Sequence, residues 1–244
     1  MVAMSNRDFT IRPIRPEDYP QVRDIYESGL GTGHASYETE GPTWAKFATN
    51  KIIETVFVAV EPDDDDKVLG WVAAAQASTR SVFHGVVEDS IYIHEDARGR
   101  GVSGALLDTL IQTCKDLNKW AIHSWIFPEN EGSAGLHLSR GFVKVGTYHQ
   151  MAKMTYGEMA GTWRDTDIYE LLLPKPGKKP AEAVAKTADG DATDGDAAAS
   201  AADADAANAD AAAADADAAN ADAANADAAN ADAAAADAAT TNSK

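Results

Sequence analysis

Short apolar runs alternate along the chain with stretches whose apolar residues recur every third and fourth position, as far as Leu173. This is the pattern of strands interleaved with amphipathic helices. Phe9-Thr10-Ile11 predicts a short strand. Behind Arg15, Pro16-Glu17-Asp18 sets a proline and two acids where a helix N-terminus favours them, and Val22, Ile25 and Tyr26 continue at helical spacing. Gly29 to Gly41 reads as a loop, and Pro42 through Asn50 as a second short helix. The runs Val56 to Val60 and Val68 to Ala75 flank Pro62 and four aspartates, Asp63 to Asp66. The proline breaks a strand and the like charges repel, so a hairpin with a solvated turn is expected. A calcium loop is the alternative, but the spacing of an EF-hand is missing.

Further along, Val86 to Ile93 predicts a strand and Arg98-Gly99-Arg100-Gly101-Val102-Ser103-Gly104 a glycine-rich turn. The turn opens a helix with the stripe Leu106, Leu107, Leu110, Ile111, Cys114 and Leu117. Trp120 to Phe127 is a strand, Ser133 to Arg140 a short helix closed by Gly141, Phe142 to Tyr148 a strand, and Ile168 to Leu173 the last strand. Strand, helix, strand implies a parallel crossover, whereas the earlier hairpin is antiparallel. The expected fold class is therefore mixed α/β with a mixed sheet. Trp44, Phe47, Trp71, Trp120 and Trp125 lie on apolar runs and are expected in its core.

Composition changes abruptly after Pro174. From Lys175 onward there are five Lys and no Arg against thirteen Asp and one Glu, no aromatic residue follows Tyr169, and 34 of the last 64 residues are Ala. Nothing there is large enough to offset the entropy of ordering it. The unit Ala-Asp-Ala-Ala-Asn, clearest from Ala216 to Ala231, repeats with a period that fits neither a helical turn nor a heptad. Residues 9–174 are thus expected to form one domain, and residues 175–244 a low-complexity disordered tail.

The 244 residues carry a net charge of −18 and no run of Lys or Arg, which argues against nucleic acid and anionic membrane as partners. One cysteine, Cys114, can build neither an internal disulfide nor a metal quartet, and its place on a buried stripe predicts an inert thiol. The chain starts without the apolar core of a signal peptide and has no run approaching the roughly 20 residues of a membrane span. A soluble, cytoplasmic protein is the expectation.

A glycine-rich turn between a strand and a helix offers backbone N–H groups and a positive dipole end to phosphate. Rossmann spacing fails here, and so does the Walker pattern, because Gly-Lys-Ser/Thr is absent. What remains is Arg98-x-x-Gly101-x-Ser103-Gly104, preceded by Ile91-Tyr92-Ile93. This resembles the pyrophosphate loop of the GCN5-related N-acetyltransferases (GNAT). Arg12-Pro13, Ser36-Tyr37-Glu38-Thr39, Val87-Glu88-Asp89-Ser90, Pro128-Glu129-Asn130, Leu136-His137 with Gly141-Phe142, and Gly161-Thr162-Trp163-Arg164-Asp165 follow the order of that family's phosphinothricin/methionine sulfone acetyltransferase subgroup. The resemblance covers residues 9–173. Two departures are Ser103, where the family has Gly or Ala, and Phe83, where it has Tyr.

The resemblance implies a central mixed sheet flanked by helices on both faces, acetyl-CoA as co-substrate, a small-molecule amine as acceptor and a homodimer. Amide formation needs a neutral amine, whereas an α-amino group with a pKa near ~8 is mostly protonated at pH 7. Glu88 matches the family's base, the alternative being an edge-strand acid facing solvent. His137 matches the position of the acid that protonates the departing thiolate, the alternative being a packing histidine. Ile91, Tyr92, Ile93, Arg98, Gly99, Arg100, Gly101, Val102, Ser103, Gly104 and Asn130 are the implied cofactor residues. Backbone groups of Ile91 and Ile93 would pair with pantetheine, and Asn130 would cap a helix or bind its amides. The left-handed backbone that some loop positions need would make Ser103 costly there, and Arg100 has a solvent-facing turn residue as its alternative. Ser78, Thr79, Arg80, Glu88, Asp89 and Ser90 are the implied acceptor residues, with Arg80 as the anion partner or a structural ion pair. No metal site is expected.

Overall fold

The computed structural model describes residues 8–175. The stretch expected as a disordered tail lies outside the described residues except for Lys175. Seven strands form one sheet: β1 (Thr10–Pro13), β2 (Phe57–Glu61), β3 (Asp64–Gln76), β4 (Val86–Ile93), β5 (Ala121–Ile126), β6 (Val143–Lys153) and β7 (Trp163–Leu172). Their order is β1-β2-β3-β4-β5-β7-β6. The helices are α1 (Tyr19–Gly31), α2 (Trp44–Asn50), α3 (Val102–Asp116) and α4 (Glu131–Leu138). No helix among the described residues is long and apolar enough to cross a membrane.

Each face of the sheet has its own core. On one, Tyr19, Val22 and Ile25 of α1 and Phe47 of α2 pack on Val58, Val60, Trp71 and Ala73. On the other, Leu106, Leu107, Leu110 and Cys114 of α3 pack on Leu69, Val72, Val87 and Ile122. Because β3 is covered on both sides, Val68 to Ala74 are buried without interruption, and the run reads as continuous rather than alternating apolar. Burial pushes the Cys114 thiol up to about 12, so it is inert at neutral pH.

The β2–β3 hairpin forms, but its turn is only Pro62-Asp63; Asp64 to Asp66, expected in a solvated turn, open β3, and the strand start is anchored. Arg12 donates from Nε to Asp65 at 2.9 Å and reaches the buried Asp18 at 2.7 Å, while Arg15 pairs with the second Asp65 oxygen. Those contacts tie the hairpin to β1 and to the start of α1. Leu117, expected on the buried stripe of α3, falls past the end of that helix and is exposed.

Only β4 and β5 run parallel, joined through α3, and their register is the feature that builds the site. It pairs Val86 with Ala121, Val87 with Ile122 and Glu88 with His123, then stops. Beyond Glu88, β4 pairs with β3 alone, and beyond His123, β5 pairs with β7 alone. The two central strands therefore part with backbone groups left on their facing edges.

Candidate active site

The parted edges lead to the turn before α3. Gly99 and Gly101 hold φ of +77° and +79°, conformations an L side chain adopts only at a cost of about 1–2 kcal/mol. A Cβ at either would meet nothing within 4 Å, so the space over the turn is open and the backbone conformation alone calls for glycine. Gly101 occupies the N-cap of α3, and among the described residues no side chain caps the first amides, Val102 to Gly104, so those donors face an anion site. Ser103 is inside the helix, in right-handed conformation, and carries no left-handed strain.

Three cations lie around this turn. Arg98 is exposed. Arg100 is turned back onto Glu61 through two bonds of 2.8 and 3.0 Å and onto the Asp8 carbonyl, a structural tie between the turn and β2. Arg140, just past α4, lies so closely over Gly104 that a Cβ there would collide with its guanidinium.

Alternation along β4 sorts its side chains between the two faces. Ile91 and Ile93 pack into the α3 core, while Tyr92 turns the other way, stacked on Trp71 at 4.9 Å and edge-on to Tyr26 at 4.8 Å. What these three residues offer a ligand between the strands is therefore backbone. Glu88 and Ser90 share the face of Tyr92. Glu88 is half-buried on a central strand, not an edge strand. Its register partner His123 stands 3.3 Å from Glu170 on β7, and Lys51, just past α2, donates to Ser90 Oγ at 3.0 Å.

The loop after α1 walls this face. Arg164 of β7, buried over the Phe127 ring at 3.8 Å, donates to the Gly33 carbonyl at 2.6 Å and to Glu129 at 2.8 Å. Its Nη2 also lies 3.0 Å from His34 Nδ1. Asn130 Oδ1 accepts from Ser133 N at 3.1 Å, capping α4, and Nδ2 donates to the His34 carbonyl at 3.1 Å. Ser78, Thr79 and Arg80 follow β3; Ser78 Oγ accepts from Arg80 N, and the Arg80 guanidinium is exposed over the Phe83 ring at 5.3 Å.

On the opposite face lies a buried cluster. His137 Nε2 is 3.0 Å from Asp89 Oδ2 and 3.1 Å from Ser124 Oγ, and Nδ1 donates to the Ser133 carbonyl at 2.8 Å. Both side chains of the ion pair are 1% exposed, and Asp89 Oδ1 has no partner among the described residues.

The family model described as acetyltransferase (GNAT) family matches residues 19–142. The chain belongs to the GNAT family. It is 34% identical over 171 residues to phosphinothricin N-acetyltransferase of Alcaligenes faecalis, covering 68% of this chain and 82% of that protein. It is 26% identical over 167 residues to L-methionine sulfoximine/L-methionine sulfone acetyltransferase of Pseudomonas aeruginosa, 67% of this chain and 94% of that one. Among solved structures, a GNAT superfamily phosphinothricin acetyltransferase from Sinorhizobium meliloti in complex with acetyl-CoA superposes with a TM-score of 0.61 at 28% identity, over 72% of this chain and 95% of that one. The protein is an acetyl-CoA-dependent N-acetyltransferase, and the parted strands with the open, uncapped turn fit a long phosphorylated thioester.

In this GNAT enzyme Ser78, Thr79 and Arg80 follow β3 and Asn130 caps α4, apart from the residues on β4. Glu88 and Ser90 share a face, the turn residues and the β4 backbone line a groove, and Asp89, expected on the acceptor side, points to the other face with His137. Sequence reasoning misses Lys51, whose contact is remote in sequence, and meets Arg164 only inside the Gly161–Asp165 motif, without a role for it.

The His137 pair has a testable consequence. Burial works against the charged ring, but the Asp89 carboxylate and the Ser133 carbonyl favour it, and the net effect raises the pKa above the ordinary 6.5. A raised histidine pKa contributes stability that is fully present below the unfolded value and is lost as pH rises through the folded one. Asp89→Asn is therefore expected to lower the melting temperature most below about pH 6.5, with the gap from wild type narrowing as the pH rises above it. A gap constant across that range would mean that the ring stays neutral.

Proposed function

We propose that residues 9–174 transfer the acetyl group of acetyl-CoA to the amino group of a small amino acid or analogue of the phosphinothricin, methionine sulfoximine or methionine sulfone type, in a direct ternary complex. The observation that carries this reading is Glu88 at the last registered pair of β4 and β5, where the parted strands begin. A thioester held between those edges would bring its carbonyl beside Glu88. Glu88 takes a proton from the acceptor ammonium, directly or through water, and the freed amine attacks the carbonyl. The C–N bond forms as the C–S bond breaks, and the thiolate takes up a proton from solvent; His137, 1% exposed with both ring nitrogens engaged on the other face, fits the packing role rather than the acid. A positioned base contributes about 10²–10⁴ in rate.

The proposed cofactor contacts are backbone groups of Ile91 to Ile93 and amides of Gly99 to Gly104, with Arg98 as the cation turned to solvent. Asn130 supports the mouth of the groove through its cap. Ser78, Thr79, Arg80 and Ser90 are the proposed acceptor contacts. We further propose a cytoplasmic homodimer, supported by the exposed apolar residues Val143, Val145 and Tyr148 on the edge strand β6.

A thiol-release assay with acetyl-CoA tests the reading over a panel of amino acids including phosphinothricin, methionine sulfoximine and methionine sulfone. The full chain and a chain ending at Pro174 are expected to turn over the same members of the panel at similar rates. Turnover of peptide N-termini in preference to every free amino acid would replace the acceptor class, and loss of activity on truncation would move the domain boundary.

A further inference from the structure

Lys51 is the first residue past α2, and its side chain crosses to β4 on the face that carries Glu88 and Ser90. Its Nζ donates to Ser90 Oγ at 3.0 Å, a neutral hydroxyl. An ammonium has three donors and an enclosed one is costly unless an anion answers it. Burial works against the Lys51 charge and holds its pKa below the ordinary lysine range, while Glu88 and Asp89 attract the charge. The β3 neighbours of Ser90 and Glu88 are Ala73 and Ala75, and neither offers the ammonium a polar partner.

We infer that Lys51 takes the α-carboxylate of the acceptor, which makes this enzyme selective for α-amino acids over amines that lack an acid. The inference rests on the small-amino-acid reading above. In an α-amino acid the carboxylate is bonded to the carbon that bears the amine. Its cation must therefore stand close beside the base. Residues two apart on one face of a strand are about 6.6 Å apart, a span that lets Glu88 address the amine while the Lys51–Ser90 pair holds the acid. Arg80, in the exposed turn beyond β3, is left for the far end of the acceptor.

The test compares kcat/KM for L-methionine sulfone and for its carboxamide in wild type, Lys51→Met and Lys51→Gln. Taking the ratio of the two acceptors within each protein, and comparing ratios, cancels the difference in amine basicity. Wild type is expected to prefer the acid. In both variants that preference should fall about 10- to 100-fold, through KM, the worth of one hydrogen bond to a charged group. Circular dichroism checks each fold, and Lys51→Gln, which keeps a donor to Ser90, carries the test if Lys51→Met is unstable. An undiminished preference in a folded variant overturns the inference. Equal losses on both acceptors with a shifted pH profile overturn it as well, because Lys51 would then act on Glu88. Wild type without a preference for the acid refutes Lys51 alone, whereas wild type inactive on every amino acid refutes the acceptor class with it.

Discussion

Glu88→Gln is expected to lower kcat at pH 7 by about 10²- to 10⁴-fold while acetyl-CoA affinity stays within about threefold of wild type. Glutamine keeps the size of the side chain and most of its hydrogen-bonding capacity but cannot accept the proton of the acceptor ammonium. Glu88 lies on a central strand at the last registered pair before β4 and β5 part, so an exchange of oxygen for nitrogen there leaves the ladder intact. The loss should shrink as pH rises, since a larger share of the amine is then already neutral in solution, near an α-amino pKa of about 8. Steady-state rates across pH, together with calorimetry for acetyl-CoA, read both parts. A variant with kcat within about threefold of wild type at pH 7 would remove Glu88 from the proton path.

The largest effect on binding is expected at the turn before α3. Gly101→Glu sets a carboxylate over the uncapped amides of Val102 to Gly104, where an anionic ligand would have to come. Acetyl-CoA affinity should fall by at least about 100-fold, with an unchanged circular dichroism spectrum because the space over Gly101 is open. The left-handed φ of +79° would strain any side chain, so Gly101→Ala is the companion variant. It shares the strain, worth about 1–2 kcal/mol, but not the charge, and should lose about tenfold or less. If alanine and glutamate weaken binding equally, strain explains the loss and the amides do not face the phosphates.

Periodicity reached the inner elements and failed at the margin of the sheet. The α3 stripe as far as Cys114 and the apolar runs of the β2–β3 hairpin stand where their apolar positions indicate, because both are pressed against a core. β6 runs on to Lys153, past the expected end at Tyr148, and β7 begins at Trp163, ahead of the expected Ile168. The added residues of β6 are largely exposed at the sheet edge, and in β7 the early buried positions are polar, Arg164 and Thr166, so neither stretch shows an alternating apolar signal. For the site, Glu88 and the glycine turn could be read because strand and turn are local features. The side to which each β4 residue points depends on the register with β3, which placed Asp89 behind the strand and Ser90 in front of it. The contacts of Lys51 and Arg164 carry no local mark, since their partners lie 39 and 131 residues away in Ser90 and Gly33.

That last separation bears on when the enzyme becomes complete. Gly33 is held by Arg164, Tyr37 bonds the Thr166 hydroxyl at 2.8 Å, and Tyr156 donates to the Ser36 carbonyl at 2.7 Å. A wall made by the N-terminal part of the domain thus hangs on residues from its C-terminal end. During synthesis the ribosome delivers the glycine turn, Glu88 and both helix layers well before β7 emerges, so a nascent chain can assemble its groove yet has nothing to fasten the loop to. Closing a loop of this length carries an entropy cost that only the finished sheet can offset, so this wall is fastened only once β7 is in place.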